Sequence, residues 1–254
     1  MGSMTPPILE ISGLSHTFEQ GRGGIHDICL TIAGNEFILL AGKNGSGKTT
    51  LIRHMNGLLR PGSGKVRLNG KDIQKDLTRT RKKIGMVFQD PDTQIIGDTV
   101  FDETAFGLEN LRVPRPVISE KVEKTLAQLN LIHLKDRDPS TLSGGEKRRL
   151  AIAGILVMEP EIIVFDEPFA NLDYPSTKAL ADLAQKLHIA GHTIVMATHD
   201  VEPVISFASR LLIMDKGRLV GDGPPRDLSG TLESHGVKQP LWPGSQKRTA
   251  PLLP

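Results

Sequence analysis

The sequence has a single cysteine, Cys29, so no disulfide can form within the chain. Placed at the start of a strand-like run, Cys29 reads as a small buried apolar side chain. Long hydrophobic runs are also missing. The longest, from Ala151 to Met158, is interrupted by Gly154 and falls far short of the roughly 20 residues of a membrane-spanning helix. Charge of one sign is equally scarce. A net charge of +2 is too small to announce nucleic acid or a membrane surface as partner. No internal repeat and no sustained heptads are present. No secretory leader is expected, and Met1-Gly2-Ser3-Met4 reads as a cloning remnant ahead of the native start. These absences predict a cytoplasmic protein that reaches a membrane only through a partner.

With 38% hydrophobic and 24% charged residues, the 254-residue chain can bury a core in one large α/β domain or two small ones. Short β-type runs alternate with helical patterns, the mark of an α/β sheet. Residues 8–11 and 28–32 read as early strands, and 36–41 as a buried strand running into a glycine loop. A helix from Gly47 should carry Leu51, Ile52 and Met55 inward. Residues 65–68 followed by Asn69-Gly70 read as strand and turn, and 84–88 as another buried strand. From 90 to 158 the β signal fades, and Val122, Leu126 and Leu129 fall on one helix face behind Ser119 as N-cap. Strands return at 162–165 and 193–197, around a helix bearing Leu180, Leu183 and Leu187 and stopped by Gly191. Residues 210–214 and 218–220 read as a closing hairpin. Residues 229–254 are expected to form a mobile tail.

Gly42-Lys43-Asn44-Gly45-Ser46-Gly47-Lys48-Thr49 spells GxxxxGKT directly after the strand 36–41. Its glycines let successive backbone N–H groups turn toward phosphate, because a Cβ would block that approach. Lys48 brings a charge to the β/γ-phosphates and Thr49 a hydroxyl to Mg²⁺, backed by the positive end of the following helix. Asp166 and Glu167 end the apolar run 162–165, which aims both carboxylates at the loop edge of the sheet. Asp166 is expected to hold Mg²⁺ through water. Glu167 is expected to orient or deprotonate the attacking water, a role worth about 10²–10⁴-fold in rate. Gln89 and His199, each at a strand end, are candidates for sensing metal and water and for contacting the γ-phosphate. A solvated acidic turn and structural Gln and His side chains are the plainer alternatives.

About a hundred residues after the glycine loop, Leu142-Ser143-Gly144-Gly145-Glu146 precedes a strongly helical segment. A hydroxyl and two glycines at a helix N-terminus form an anion site of their own. One domain does not need two triphosphate sites, so this one is expected to complete the site of a second chain; a plain N-cap is the rival reading. Lys147, Arg148 and Arg149 read as a solvated or partner-facing basic edge.

Taken together, these residues resemble the nucleotide-binding subunits of ATP-binding-cassette (ABC) transporters, up to about Asp227. Gly42 to Thr49 matches the family's Walker A motif, Gln89 its Q-loop and Leu142 to Glu146 its signature, with Glu146 where Gln is frequent. Residues 162–167 match Walker B, Asn171-Leu172-Asp173 the D-loop, and His199 the switch histidine. Phe18 sits where the family stacks an aromatic on adenine. The segment from Phe88-Gln89-Asp90-Pro91-Asp92-Thr93-Gln94 to Asn110-Leu111, with 147–154, is similar to the energy-coupling-factor branch, which includes cobalt, nickel and biotin uptake ATPases.

The resemblance implies a P-loop ABC ATPase domain over 5–228, with an N-terminal antiparallel β subdomain and a helical subdomain inserted at 90–158. It implies ATP and Mg²⁺ as ligands. ATP would meet Phe18, Gly42, Asn44, Gly45, Ser46, Gly47, Lys48, Thr49 and Thr50 of one chain and Ser143, Gly145 and Asp173 of another. Mg²⁺ would meet Thr49, Gln89 and Asp166; Lys48, Gln89, Glu167 and His199 would carry the chemistry. The implied partners are a second ATPase subunit, identical or a close paralogue, a transmembrane coupling protein and a substrate-binding membrane component, with no nucleic acid. The chain would lie on the cytoplasmic face of the inner membrane. In that branch the segment after Gln89 belongs to a groove gripping the membrane partner, and Asp98, Asp102 and Glu103 would suit a basic helix there. Cobalt is the favoured cargo, with nickel or biotin as alternatives. A soluble iron–sulfur-assembly ATPase is a second reading. A DNA-repair head is disfavoured by the absent coiled coil.

Overall fold

The computed structural model of the chain describes residues 7–18 and 23–242. The presumed remnant at 1–4 and positions 243–254 of the expected tail lie outside the described residues. The strands are β1 (Pro7–Thr17), β2 (Gly24–Ala33), β3 (Phe37–Ala41), β4 (Ser63–Leu68), β5 (Lys71–Asp72), β6 (Ile84–Val87), β7 (Ile162–Asp166), β8 (Thr193–Thr198), β9 (Arg210–Asp215) and β10 (Arg218–Gly223). The helices are α1 (Lys48–Met55), α2 (Leu77–Lys83), α3 (Val100–Asn110), α4 (Arg115–Gln128), α5 (Gly144–Leu156), α6 (Tyr174–Ile189) and α7 (Pro225–Leu228).

Two sheets form. An antiparallel one has the order β2-β1-β4-β5, and a mostly parallel one the order β10-β9-β3-β8-β7-β6. Neighbouring residues of the parallel strands belong to different cores. Ile38, Leu40, Ile162, Val164, Val195 and Ala197 face the antiparallel sheet, with Leu51, Ile52 and Met55 of α1 wedged between. Phe37, Leu39, Ile163, Phe165, Ile194 and Met196 face the other way, into a core shared with α3 to α6. Strands covered on both faces need apolar residues at every position, which is why they read as continuous runs.

Parallel register brings the chemistry to one edge. Ala41 pairs with Thr198 and Asp166 with Ala197, so β3, β7 and β8 end level with one another. The residues that follow them, the glycine loop, Glu167 and His199, are therefore neighbours despite their separation in sequence. Residues 99–156 fold as α3, α4 and α5 with short 3-10 turns and contain no strand.

Three local expectations change. Helix α4 starts at Arg115 behind Pro114, so Ser119 lies inside the helix and caps nothing. Pro116 fixes its own φ in the first turn and moves the start upstream. Cys29 lies in the middle of β2 and is exposed, because Ile28 and Leu30 take the inward positions on either side. The chain beyond 228 is not a loose tail throughout: 3-10 turns over Ser229–His235 bury Leu232 and Val237 in the larger core. Single apolar residues spaced by turns give no periodic signal. Among the described residues no helix is long and apolar enough to cross a membrane.

Candidate active site

The glycine loop is built around close backbone approach. A Cβ on Gly42 would meet the Met214 carbonyl at 2.4 Å and the Ser46 hydroxyl at 2.6 Å. Gly45 and Gly47 hold φ values of 77° and 107°, which an L side chain resists, and Gly47 is the N-cap of α1. The loop is braced from behind, where the Gly217 N–H donates to the Ser46 carbonyl at 2.9 Å. The Ser46 side chain is buried and its hydroxyl has no hydrogen-bond partner among the described residues. Asn44 stands exposed at the loop tip, and the Thr50 carbonyl accepts from the His54 ring at 2.8 Å.

Lys48 is buried, and its ammonium donates to the Gly42 carbonyl at 2.6 Å and pairs with Glu167 Oε1 at 3.0 Å. The other Glu167 oxygen lies 2.8 Å from His199 Nδ1. Glu167 has φ of 44°, in the left-handed region that costs a non-glycine residue of order 1 kcal/mol. Its N–H donates to the Ala197 carbonyl at 2.8 Å, which holds that turn in place. Thr49 donates its hydroxyl to Asp166 Oδ1 at 2.8 Å. Burial is the main cause that raises the Asp166 pKa, opposed by the Thr49 hydrogen bond. One cluster at the ends of the strands thus holds a cation, two carboxylates, a hydroxyl and an imidazole.

Ser143, Gly145 and Asp173 occupy a different place. Among the described residues no hydrogen bond or ion pair joins them to the glycine loop. Ser143 caps α5, receiving the Glu146 N–H at 3.4 Å and donating its own hydroxyl to Glu146 Oε2 at 2.7 Å. That reciprocal capping box lowers the Glu146 pKa, chiefly through the Ser143 hydroxyl. Asp173 caps α6 by accepting from the Ser176 N–H at 2.9 Å; the Ser176 side chain, and after it that N–H, lowers the Asp173 pKa. Gly145 and Leu172 line one cleft of about 350 Å³. Phe18 is exposed and stacks edge-on against His16, with ring centroids 4.7 Å apart. Gln89 is exposed, and its carbonyl accepts from Arg148 at 3.0 Å.

The basic triplet after Glu146 is not a solvated edge. Arg148 is buried and donates to the main-chain carbonyls of both Pro168 and Gln89. Burial pulls its pKa below the usual arginine value. It lies four positions before Ile152 and seven before Ile155, on the inward stripe of α5, and that period was the available signal. Lys147 pairs with Asp92 at 2.6 Å. Glu103 likewise turns inward: its carboxylate accepts from the N–H groups of Ile96 and Gly97, each at 2.8 Å, and is not free to meet a partner. Asp102 makes a capping pair with Thr99, and Asp98 is exposed.

A family model described as "ABC transporter" matches residues 25–170. An energy-coupling factor transporter ATP-binding protein of Methanospirillum hungatei is 38% identical over 92% of this chain, which spans 65% of that longer protein. The cobalt import ATP-binding protein CbiO of Rhodobacter capsulatus is 40% identical over 92% of this chain and 86% of its own. The solved structure of cbiO1 from Clostridium perfringens, described as part of the ABC transporter complex cbiONQ, superposes with a TM-score of 0.80. It is 34% identical in sequence and covers 90% of this chain and 92% of that one. The chain belongs to the ABC transporter ATP-binding family, a family of ATPases. Its fold is the P-loop ABC ATPase fold, with the antiparallel sheet at the N-terminus and the helices α3 to α5 inserted before β7.

Proposed function

We propose that the chain is the ATP-hydrolysing motor subunit of an energy-coupling-factor importer, peripheral to the cytoplasmic face of the membrane, with cobalt as cargo. The observation that carries the site reading is the joint placement of Lys48, Glu167 and His199, with Glu167 3.0 Å from one and 2.8 Å from the other. The cargo rests on the two relatives named for cobalt import or for cbiO. Nickel and biotin are the competing cargoes.

In this reading the loop N–H groups of residues 44–49 and the ammonium of Lys48 receive the β/γ-phosphates of ATP. The Thr49 hydroxyl and Asp166 are two hard oxygen donors side by side, which suits Mg²⁺, an ion that keeps waters and phosphate oxygens for its remaining positions. Held there, Mg²⁺ would supply positive charge to offset the charge on the phosphates. Glu167 accepts a proton from the attacking water, oriented with Gln89, while His199 steadies the γ-phosphate. A triphosphate in the loop competes with Glu167 for Lys48 and frees the carboxylate for that task. Ser143 and Gly145 of a second subunit cover the phosphate from the other side, Asp173 links the two sites, and Phe18 meets the base. Phosphoryl transfer needs mostly positioning and charge, which suits a site completed by closure.

The membrane partner is assigned to a cleft of about 450 Å³ lined by Leu77 and Arg81 of α2, Ile96, Phe106 of α3 and Leu111 just behind that helix. Ile96 and Phe106, 65% and 45% exposed, are large apolar side chains lining this one cleft. Cobalt, nickel and biotin uptake in cells with the chain, without it, and with Glu167→Gln tests the function. Loss of cobalt uptake in the last two is expected; unchanged uptake of all three cargoes rejects the importer. Ile96→Asp with Phe106→Asp should release an integral-membrane partner from detergent-extract pull-downs while ATP binding persists. Capture of only soluble proteins by the unaltered chain would favour the iron–sulfur-assembly reading.

A further inference from the structure

The near-neutral total hides a sharply uneven distribution. Between Arg60 and Lys83, nine Lys and Arg stand against two Asp, a local net of +7. With +2 for the whole chain, the remaining residues carry a net of −5. The segment folds as β4, β5, a 3-10 turn and α2, and its cations converge rather than scatter. Lys65, Arg67, Lys71, Lys75 and Arg79 line one open depression of about 600 Å³.

The two carboxylates in this depression do not neutralise it by ion pairing. Asp72 accepts from the Gln74 N–H at 2.9 Å and Asp76 from the Arg79 N–H at 2.9 Å, each capping a helical turn. Of the nine cations, Lys83 alone forms an ion pair among the described residues, with Glu161. Lys65, Lys71, Lys75, Arg81 and Lys82 are exposed. The depression shares α2 with the apolar cleft: Arg79 and Thr80 line one, Leu77, Arg81 and Lys82 the other.

We infer that this basic depression is a membrane-surface contact that takes the phosphate headgroups of anionic lipid. The occupant follows from charge complementarity and from continuity with the cleft assigned to the transmembrane partner, and to that extent the inference rests on the proposed importer function. A subunit docked there through α2 holds the neighbouring cations beside the same bilayer. A polybasic surface near anionic lipid gains from every Lys and Arg within a Debye length, and the attraction fades with salt. The contact would orient the subunit and retain it at the membrane while the cleft engages or releases its protein partner.

The test is flotation of the purified full chain with protein-free vesicles, of phosphatidylcholine alone or with about one third phosphatidylglycerol. Binding to the anionic vesicles is expected, at least about tenfold tighter than to the neutral ones, and abolished near 0.5 M salt. The triple variant Lys65→Gln, Lys71→Gln, Lys75→Gln should lose that binding by about tenfold or more and keep its ATPase rate. A control triple, Lys124→Gln, Lys178→Gln, Lys186→Gln, makes the same change in net charge elsewhere and should bind as the unaltered chain does. Equal losses in the two triples, no preference for anionic vesicles, or tighter binding to a duplex oligonucleotide each overturn the inference. Because the vesicles hold no protein, their result is independent of pull-down through Ile96 and Phe106. Failure of one reading is therefore visible apart from failure of the other.

Discussion

Arg148 reaches from the helix behind Ser143 to the main-chain carbonyl of Gln89, 3.0 Å away, and donates also to the carbonyl of Pro168, next to Glu167. A single guanidinium thus ties the signature helix to the loop carrying Gln89 and to the turn carrying Glu167. Under the proposed function those three pieces would have to keep register as a second subunit closes on the phosphates.

Replacing that cation should therefore disturb turnover more than nucleotide affinity. Arg148→Met keeps apolar volume and removes the donors; kcat is expected to fall about tenfold or more, with KM for ATP changed less than about threefold. Arg148→Lys, which retains charge and one donor direction, should recover part of the loss. Steady-state kinetics on the three proteins decides it: equal loss in kcat and affinity, or no rescue by lysine, would reject a positioning role.

The roles proposed for Lys48 and Glu167 can be tested separately. Lys48→Ala should weaken ATP binding by about a hundredfold, because a buried charge-assisted contact to phosphate is lost. Glu167→Gln should keep ATP affinity, lower turnover by about 10²–10⁴-fold and accumulate a dimer with ATP. Equilibrium dialysis and light scattering read the two effects. Full activity from a strict monomer would contradict the two-subunit site.

Glu146 places a carboxylate 2.7 Å from the Ser143 hydroxyl that is assigned to a partner's γ-phosphate. Its lowered pKa keeps it anionic at neutral pH. Glu146→Gln preserves an acceptor for the cap and removes the repulsion, so ATP-driven dimerisation should tighten severalfold, about one order of magnitude at most. A weakened dimer in sedimentation experiments would show that the carboxylate serves another purpose.

His54 supplies a stability prediction in which pH enters directly. The side chain is fully buried, and burial, assisted by neighbouring His16, lowers its pKa from 6.5, against hydrogen bonds to the Thr50 and Arg60 carbonyls that raise it. The unfolded chain therefore binds a proton in a range where the folded chain resists it. Stability should fall as pH drops from about 6.5 through the lowered folded value, and should be independent of this group above that window. Urea midpoints at about pH 7.5 and pH 5.5 measure the slope, and His54→Gln should flatten it.

How much of this was legible beforehand depended on whether the signal was local. GxxxxGKT, the apolar run ending in Asp166-Glu167 and His199 after β8 all announce themselves, because strand ends and glycine turns are written in consecutive residues. The place of Asp166 and Glu167 at the loop edge of the sheet followed from fold-level reasoning; the level ends of β3, β7 and β8 rest on long-range register that no local run announces. Arg148 did not, because its acceptors are main-chain carbonyls on two distant loops, and a carbonyl leaves no mark in the sequence. Glu103 was misread for the same reason, its partners being the N–H groups of Ile96 and Gly97. The Leu232 and Val237 contacts were invisible because short 3-10 turns lack a period long enough to detect.

Asp215 stands 3.5 Å from Lys43 in the glycine loop and 3.8 Å from His235 in the 3-10 turns that follow α7, and a Cβ on Gly236 would meet the Lys43 Cβ at 3.2 Å. Gly236 thus packs against the glycine loop, so under the proposed function a bulkier residue at Gly236 would press on the loop assigned to phosphate.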